Sequence, residues 1–167
     1  MASVTLKGNP FDLEGTLPAV GAKAPAFKLL KSDMTVVGNA DVHGKTTVLL
    51  TVPSVDTGVC AAETRKFNER ATEVPGGQMI VASSDLPFAM KRFCTAEGIA
   101  NVHATSDLRD RGFGARWGVR IAAGPLEGLT ARAAFVISPD GTLRYVHLVP
   151  EIAEEPDYDA VLAAARV

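Results

Sequence analysis

The sequence has few of the features that mark secreted, membrane-spanning or nucleic-acid-binding proteins. No stretch approaches the roughly 18 consecutive apolar residues of a transmembrane helix, and the N-terminus has no basic segment followed by an apolar run, so no secretory signal is expected. The formal net charge is only −2, too small to indicate an affinity for nucleic acid or acidic membranes. The sequence therefore predicts a cytoplasmic protein that binds neither.

Residues that hold metals or nucleotides are also scarce. The two cysteines do not form a Cys-x-x-Cys pair, and His43, His103 and His147 are dispersed along the chain. Neither metal-ligand spacing nor a glycine-rich phosphate turn after a strand is present, so we expect no metal site and no cofactor. Two cysteines in a cytoplasmic chain are more often reactive or buried than structurally bridged.

The pattern of apolar residues predicts one α/β domain that covers residues 1–167. Hydrophobic residues make up 47% of the chain, enough for a core that needs no disulfide or metal. Apolar runs alternate with helical periodicity, and turns near Gly8 and Gly141 indicate an N-terminal and a late hairpin. The predicted strands cover 4–6, 11–13, 27–30, 35–37, 45–52, 79–82, 102–105, 133–137 and 143–149; the predicted helices cover 60–74, 85–98, 110–117 and 157–165. This order is typical of a mixed central sheet flanked by helices.

The segment from Pro53 to Cys60 carries the predicted chemistry. It joins a buried strand to a helix, so Cys60 lies in the first helical turn, where unpaired amides and the helix dipole favour a thiolate. The thiolate is the nucleophilic form of cysteine. The Thr57 hydroxyl is placed to donate a hydrogen bond to the sulfur or to a substrate oxygen, and Pro53 to shield the sulfur from water. Arg132, just before a strand, is the best candidate for a compensating charge, because strands bring distant residues to one end of a sheet. Arg65 is nearer in sequence, but its helical face is expected to point away.

Each of these residues also has a plainer interpretation. Thr57 alone suits a helix N-cap, Arg132 alone a surface charge, and Cys94 a packing residue on a partly buried helix face. A cysteine hydrolase would need a histidine beside Cys60, for which His147 is the only candidate. The charged residues of the first helix are expected on its solvent face: Glu63, Arg65, Lys66 and Glu69.

The spacing Pro-x-x-x-Thr-x-x-Cys, formed by Pro53, Thr57 and Cys60, resembles the active-site motif of peroxiredoxins. Further stretches are similar to the bacterial thiol peroxidase branch of that family, so that the resemblance covers essentially the whole chain: Ser84–Ala89, Arg92–Cys94, Gly124–Leu126 and Glu155–Tyr158.

This resemblance implies a fold, an activity and roles for five residues. The fold is thioredoxin-like with an N-terminal β-hairpin extension, in a homodimer. Cys60 corresponds to the peroxidatic cysteine, with Thr57, Pro53 and Arg132 around it. Cys94 corresponds to the resolving cysteine of the atypical two-cysteine type, which closes an intrachain disulfide onto Cys60. The implied activity is the reduction of hydrogen peroxide and alkyl hydroperoxides, with thioredoxin as the reductant.

Two hypotheses follow from this assignment. The two cysteines are predicted on separate helices, whereas a disulfide needs Cα atoms within about 7 Å, so we expect the ends of both helices to unwind locally in each cycle. The alternative function is a peroxide-sensing relay protein, which would use the same cysteines but pass its disulfide to a partner protein.

Overall fold

The computed structural model describes residues 2–167 and arranges them in two sheets with four α-helices. The strands are β1 (Ser3–Leu6), β2 (Asn9–Glu14), β3 (Lys28–Lys31), β4 (Val36–Gly38), β5 (Thr47–Thr51), β6 (Gln78–Ser83), β7 (His103–Ser106), β8 (Arg120–Ile121), β9 (Ala133–Ile137) and β10 (Leu143–Leu148). The helices are α1 (Gly58–Glu69), α2 (Pro87–Glu97), α3 (Phe113–Arg116) and α4 (Tyr158–Ala165), and short 3-10 helices cover Asn39–Val42 and Ala71–Glu73.

The large sheet has seven strands in the order β10-β9-β5-β6-β7-β3-β4. Strands β5, β6 and β7 run parallel, and the other neighbouring pairs are antiparallel. Every residue of β5 is buried, as a central strand covered on both faces requires. Val48 and Leu50 point toward the core that contains Phe67 of α1, whereas Leu49 points to the opposite core. The prediction of a mixed sheet flanked by helices is confirmed.

A small second sheet is formed by β1, β2 and β8. The predicted N-terminal hairpin is confirmed: β1 and β2 pair antiparallel, and the turn between them uses positive φ angles at Lys7 (51°) and Gly8 (82°). Strand β8 was not predicted, because two residues carry too little alternation to signal a strand. Its Ile121 is buried with Val4 and Leu13, which attaches the hairpin to the rest of the chain.

The observed helices differ from the predicted ones mainly at their ends. Helix α2 begins with Pro87 and is capped by Gly98 in the left-handed conformation (φ 66°), close to the prediction. Helix α1 ends at Glu69 rather than 74, and a 3-10 turn follows; Val74 precedes Pro75, which disfavours the α conformation there. Helix α3 is four residues long rather than eight. Within residues 2–167, none of the helices has the length and apolar character needed to cross a bilayer.

Candidate active site

Cys60 is the third residue of α1, immediately beyond the loop that leaves β5. Thr57 is the N-cap in an extended conformation, and the first helical hydrogen bond runs from Ala61 N–H to the Thr57 carbonyl at 2.9 Å. The amides of the first helical turn consequently lie beyond the reach of a helical carbonyl and face the start of the helix. Cys60 itself has no exposed surface. Its sulfur is thus held in a dry site at the positive end of the helix.

Arg132 contacts the sulfur from the opposite side. Its Nη2 donates a hydrogen bond to Cys60 Sγ at 3.1 Å. The guanidinium is fixed by two further bonds to the Ile152 carbonyl, from Nε at 3.1 Å and from Nη2 at 3.0 Å. Arg132 is only 1% exposed although it was expected as a surface residue when taken alone. The residue before β9 therefore delivers a positive charge to the first turn of α1.

Glu63 is a member of this site that the sequence analysis missed. We expected it on the solvent face of α1, and this was wrong: Glu63 is fully buried, and Arg132 Nη1 donates a hydrogen bond to its Oε2. The available signal was the spacing, because residues three apart lie on the same helix face and Glu63 is three residues after Cys60. The pattern of charges nevertheless predicted exposure, since the counter-ion lies far away in sequence.

The pKa values of Glu63 and Arg132 follow from the burial of this pair. Burial raises the pKa of Glu63 to about 7, against the opposing effect of Arg132. Burial also disfavours the charged guanidinium, but Glu63 and the Cys60 sulfur outweigh it and the pKa of Arg132 is raised. Arg132 accordingly remains a cation, whereas the Glu63 carboxyl can carry a proton near neutral pH.

The loop before Cys60 holds Pro53 and Thr57 on one side of the site. Pro53 is buried, whereas Thr57 is exposed and its hydroxyl donates to the Ser54 carbonyl at 3.1 Å. Donation from Thr57 to a substrate oxygen requires the hydroxyl to turn away from Ser54. Asp85 fixes the loop by accepting hydrogen bonds from Ser54 Oγ at 2.7 Å and from the Val55 amide at 2.8 Å.

A mainly apolar cavity of about 320 Å³ opens beside this loop. It is lined by Leu6, Pro53, Ser54, Thr57, Gly58, Val59, Leu126, Leu129, Arg132, Ile152 and Ala153. Leu6 comes from the N-terminal hairpin, so the small sheet forms part of the wall. A larger cavity of about 440 Å³ lies between Phe27, Arg109 and Arg116, but its lining includes neither Arg132 nor any residue of the segment 53–60. The smaller cavity is the one bordered by Arg132 and the residues before Cys60.

Cys94 lies on α2 and is half-buried. Neither Cys94 nor Cys60 is bonded to another sulfur. The Cys94 side chain packs against the core that also contains Cys60, and burial raises the pKa of its thiol. Helices α1 and α2 are joined by an ion pair between Arg65 and Glu97 at 3.0 Å. Arg65 therefore points away from Cys60, as expected. Asn68 Oδ1 accepts hydrogen bonds from the amides that follow α2, at residues 100 and 101.

The alternative chemistries gain no geometric support. His147 lies on β10 with its ring 6.3 Å from that of Tyr145, and the side chain that contacts Cys60 is Arg132 rather than a histidine. Within residues 2–167, no group of three His, Cys, Asp or Glu side chains is placed to hold a metal ion.

Comparison with known proteins gives consistent matches along the chain. The Redoxin family model matches residues 19–162. A thiol peroxidase of Leptospira interrogans is 52% identical over 168 residues, covering 99% of this chain and 98% of the relative. A thiol peroxidase of Mycobacterium tuberculosis is 52% identical over 164 residues, covering 98% of each.

Two solved structures are similar to the whole fold. A peroxiredoxin-like protein from Aquifex aeolicus has a TM-score of 0.92 at 44% identity, covering 99% of this chain and 96% of its own. A thiol peroxidase from Chromobacterium violaceum has a TM-score of 0.88 at 24% identity, covering 95% and 92%, which supports the fold alone.

Proposed function

The chain belongs to the Redoxin family and is a peroxidase of the peroxiredoxin type, and from this premise we propose that it reduces hydrogen peroxide and organic hydroperoxides through Cys60. The predicted thioredoxin-like fold with an N-terminal hairpin is confirmed. The observation that carries the proposal is the hydrogen bond from Arg132 Nη2 to Cys60 Sγ in the first turn of α1. A dry, fixed cation at a helix N-terminus is suited to a reactive thiolate.

The oxidation step uses the groups around the sulfur. The Cys60 thiolate attacks the terminal peroxide oxygen, an S–O bond forms, the O–O bond breaks, and the leaving alkoxide or hydroxide takes up one proton to become an alcohol or water. Arg132 and the first-turn amides stabilise the negative charge that moves along the O–O bond, and such preorganised donors are usually a large catalytic contribution. We assign Thr57 as a further donor and Pro53 as the residue that keeps water from the sulfur. The product is a sulfenic acid on Cys60.

Cys94 is proposed to resolve this sulfenic acid. Its thiol condenses with Cys60 as water leaves, which forms an intrachain disulfide, and thioredoxin reduces that disulfide to complete the cycle. Because the cysteines lie on different helices, the step requires the end of each helix to unwind locally. Exposure of Cys94 during unwinding removes the burial that raises the pKa of its thiol. The closed loop would stabilise the oxidised chain by ~4 kcal/mol on the chain-entropy model, less any strain.

The remaining assignments are proposals of the same kind. The homodimer, the cytoplasmic location and thioredoxin as the specific reductant stay predictions. The relay alternative requires a partner protein that accepts the disulfide, and the names of the relatives describe peroxidases instead.

Steady-state peroxide consumption with thioredoxin, thioredoxin reductase and NADPH tests the proposal. The wild-type chain should turn over many times with both hydrogen peroxide and an organic hydroperoxide, and Cys60→Ser should abolish turnover. Cys94→Ser serves as the matched variant, because it should consume one equivalent of peroxide and then stop. Turnover by Cys60→Ser would overturn the peroxidase assignment, and a single round of consumption by the wild type with thioredoxin present would favour the relay.

A further inference from the structure

The buried site contains one cation and two groups that can be anions. Arg132 presents Nη2 to Cys60 Sγ and Nη1 to Glu63 Oε2, and all three residues are at most 1% exposed. With both Cys60 and Glu63 ionised, the cluster would carry a net negative charge in a fully buried site, which is costly. The cluster is neutral when only one of the two is ionised. The mechanism above leaves Glu63 without a role.

The surroundings of Glu63 favour its neutral form while Cys60 is a thiolate. Its second oxygen, Oε1, is buried and finds no hydrogen-bond partner among residues 2–167, and this costs an ionised oxygen more free energy than a neutral one. The Glu155 carboxylate opposes ionisation of Glu63 further. Glu155 itself is held by Lys66 Nζ at 3.4 Å and by the Tyr158 hydroxyl at 2.7 Å. Arg132 is the neighbour whose charge favours the carboxylate.

Building on the proposed peroxidase activity, we propose that Glu63 is a proton reservoir, protonated while Cys60 is a thiolate and ionised once Cys60 is a sulfenic acid. Oxidation removes the negative charge from the sulfur, so the anion that then pairs with the guanidinium is the Glu63 carboxylate. The balanced step is thiolate plus hydroperoxide plus Glu63 carboxylic acid, giving sulfenic acid, alcohol and Glu63 carboxylate. Two electrons pass from the sulfur into the O–O bond. The proton released by Glu63 is the one that the leaving alkoxide takes up to become the alcohol. Glu63 contacts Arg132 and not the reacting atoms, so it acts as a positioning and charge-balancing residue.

Proton uptake during oxidation tests this directly. In a Cys94→Ser background the reaction stops at the sulfenic acid, and one equivalent of an organic hydroperoxide is added at about pH 6, below the pKa of Glu63 of about 7. The heat of this oxidation is measured in phosphate and in imidazole buffer, whose ionisation enthalpies differ. The difference between the two heats gives the number of protons that the protein exchanges with the buffer. We expect about zero protons per sulfenic acid formed. With Glu63→Gln added, we expect about one, because the amide has no proton to release.

A spectroscopic measurement complements this without a substitution at position 63. The infrared difference spectrum of oxidised minus reduced Cys94→Ser protein should show loss of the C=O band of a protonated carboxyl. Glu69→Gln is the control variant, since Glu69 is an exposed carboxylate on the same helix, and it should retain this loss. Glu63→Gln should abolish it.

The two proposals fail in distinguishable ways. If dimedone trapping and mass spectrometry detect no sulfenic acid on Cys60, the peroxidase assignment fails. If the sulfenic acid forms but about one proton is taken up with Glu63 present, or if no carboxyl band is lost, the reservoir is wrong. Uptake of no proton by the Glu63→Gln variant would also overturn it.

Discussion

The site depends on a single side chain that serves several partners at once. The Arg132 guanidinium uses all three of its nitrogens: Nη1 contacts Glu63, Nη2 contacts Cys60 and the Ile152 carbonyl, and Nε contacts that carbonyl as well. A planar fork of five N–H donors can do this, whereas a lysine ammonium acts as one compact charge with a different geometry. The charge and the shape of Arg132 are therefore separable by substitution.

Arg132→Lys should lower kcat/KM for hydroperoxides by ~100-fold or more, the loss typical of removing one preorganised donor. Stopped-flow oxidation of the reduced protein measures this. Arg65→Lys is the matched control, because Arg65 lies partly exposed on α1 and pairs with Glu97; its rate should stay within about twofold, as surface ion pairs contribute little. A fully active Arg132→Lys protein would show that the fork geometry is dispensable.

The reduced protein should lose stability as the pH rises from about 4.5 to about 7. The pKa of Glu63 is raised in the folded state from 4.5 to about 7, so folding binds a proton there, and this contribution is complete below the unfolded value and lost on passing the folded one. The loss should be on the order of 3 kcal/mol. Urea unfolding at a series of pH values measures it, and Glu63→Gln should flatten this part of the profile. An unchanged slope in Glu63→Gln would assign the dependence to other groups.

Some residues of the site could be predicted from the sequence and one could not. Cys60 and Thr57 are close in the chain and share a strand-to-helix junction, so local backbone structure is enough to bring them together. Arg132 was proposed because residues at strand ends gather at one edge of a sheet. Glu63 could not be predicted, because a glutamate among other charged helix residues indicates a solvent face unless its distant counter-ion is known.

At the scale of elements, α1 and α2 are joined by contacts that the proposed resolving step would have to loosen. Asn68 of α1 accepts hydrogen bonds from the amides of Ala100 and Asn101 at 3.0 and 2.7 Å. These bonds hold the chain just beyond α2, and Cys94 lies in the last turns of that helix. Asn68 is thus a restraint on the unwinding that brings the sulfurs together.

Asn68→Ala should speed disulfide formation several-fold while lowering the free energy of unfolding by roughly 1 kcal/mol, because the amides of the exposed residues Ala100 and Asn101 lose their acceptor. Rapid quenching with an alkylating reagent after peroxide addition counts the remaining thiols. Glu97→Gln, which removes only the exposed ion pair with Arg65, should leave the rate unchanged. Faster hydrogen exchange in α2 without faster disulfide formation would show that unwinding at this end does not limit the step.

The elements themselves were predicted better than their ends. Long periodic segments such as α2 and β9 carry a strong signal and were placed within a few residues. The two-residue β8 and the four-residue α3 carry little signal. Helix α1 ends at Glu69, whereas the apolar pattern continues to Val74, just before Pro75. A count of apolar positions therefore does not locate the end of this helix.

At the scale of the whole molecule, the apolar cavity beside Pro53 and Thr57 is assembled from distant parts of the chain. Leu6 belongs to the hairpin, Leu126 to the loop after β8, and Val59 to α1. The cavity is mainly apolar apart from Arg132 and a few polar groups near the mouth. We therefore expect bulky organic hydroperoxides to gain contacts here that hydrogen peroxide cannot make.

Leu126→Ala should lower kcat/KM for an aromatic hydroperoxide by about tenfold, since the lost apolar contact is worth roughly 1–2 kcal/mol. The value for hydrogen peroxide should stay within about twofold, and this comparison within one variant corrects for partial unfolding. Leu86→Ala, at an exposed leucine away from this cavity, is the matched control. Equal losses for both peroxides would place organic substrates outside this cavity.

Cys60 is completely buried, whereas Cys94 is half-buried. The size of a reagent therefore decides which of the two sulfurs it can reach. A small oxidant in the cavity meets Arg132 and the residues just before Cys60, whereas another protein's thiol cannot reach the buried sulfur while α1 remains folded. A protein-sized disulfide reagent that meets the reduced, folded chain should therefore form its mixed disulfide with Cys94. Reagents for labelling follow the same rule: a bulky maleimide should mark the Cys94 thiol alone in the reduced chain.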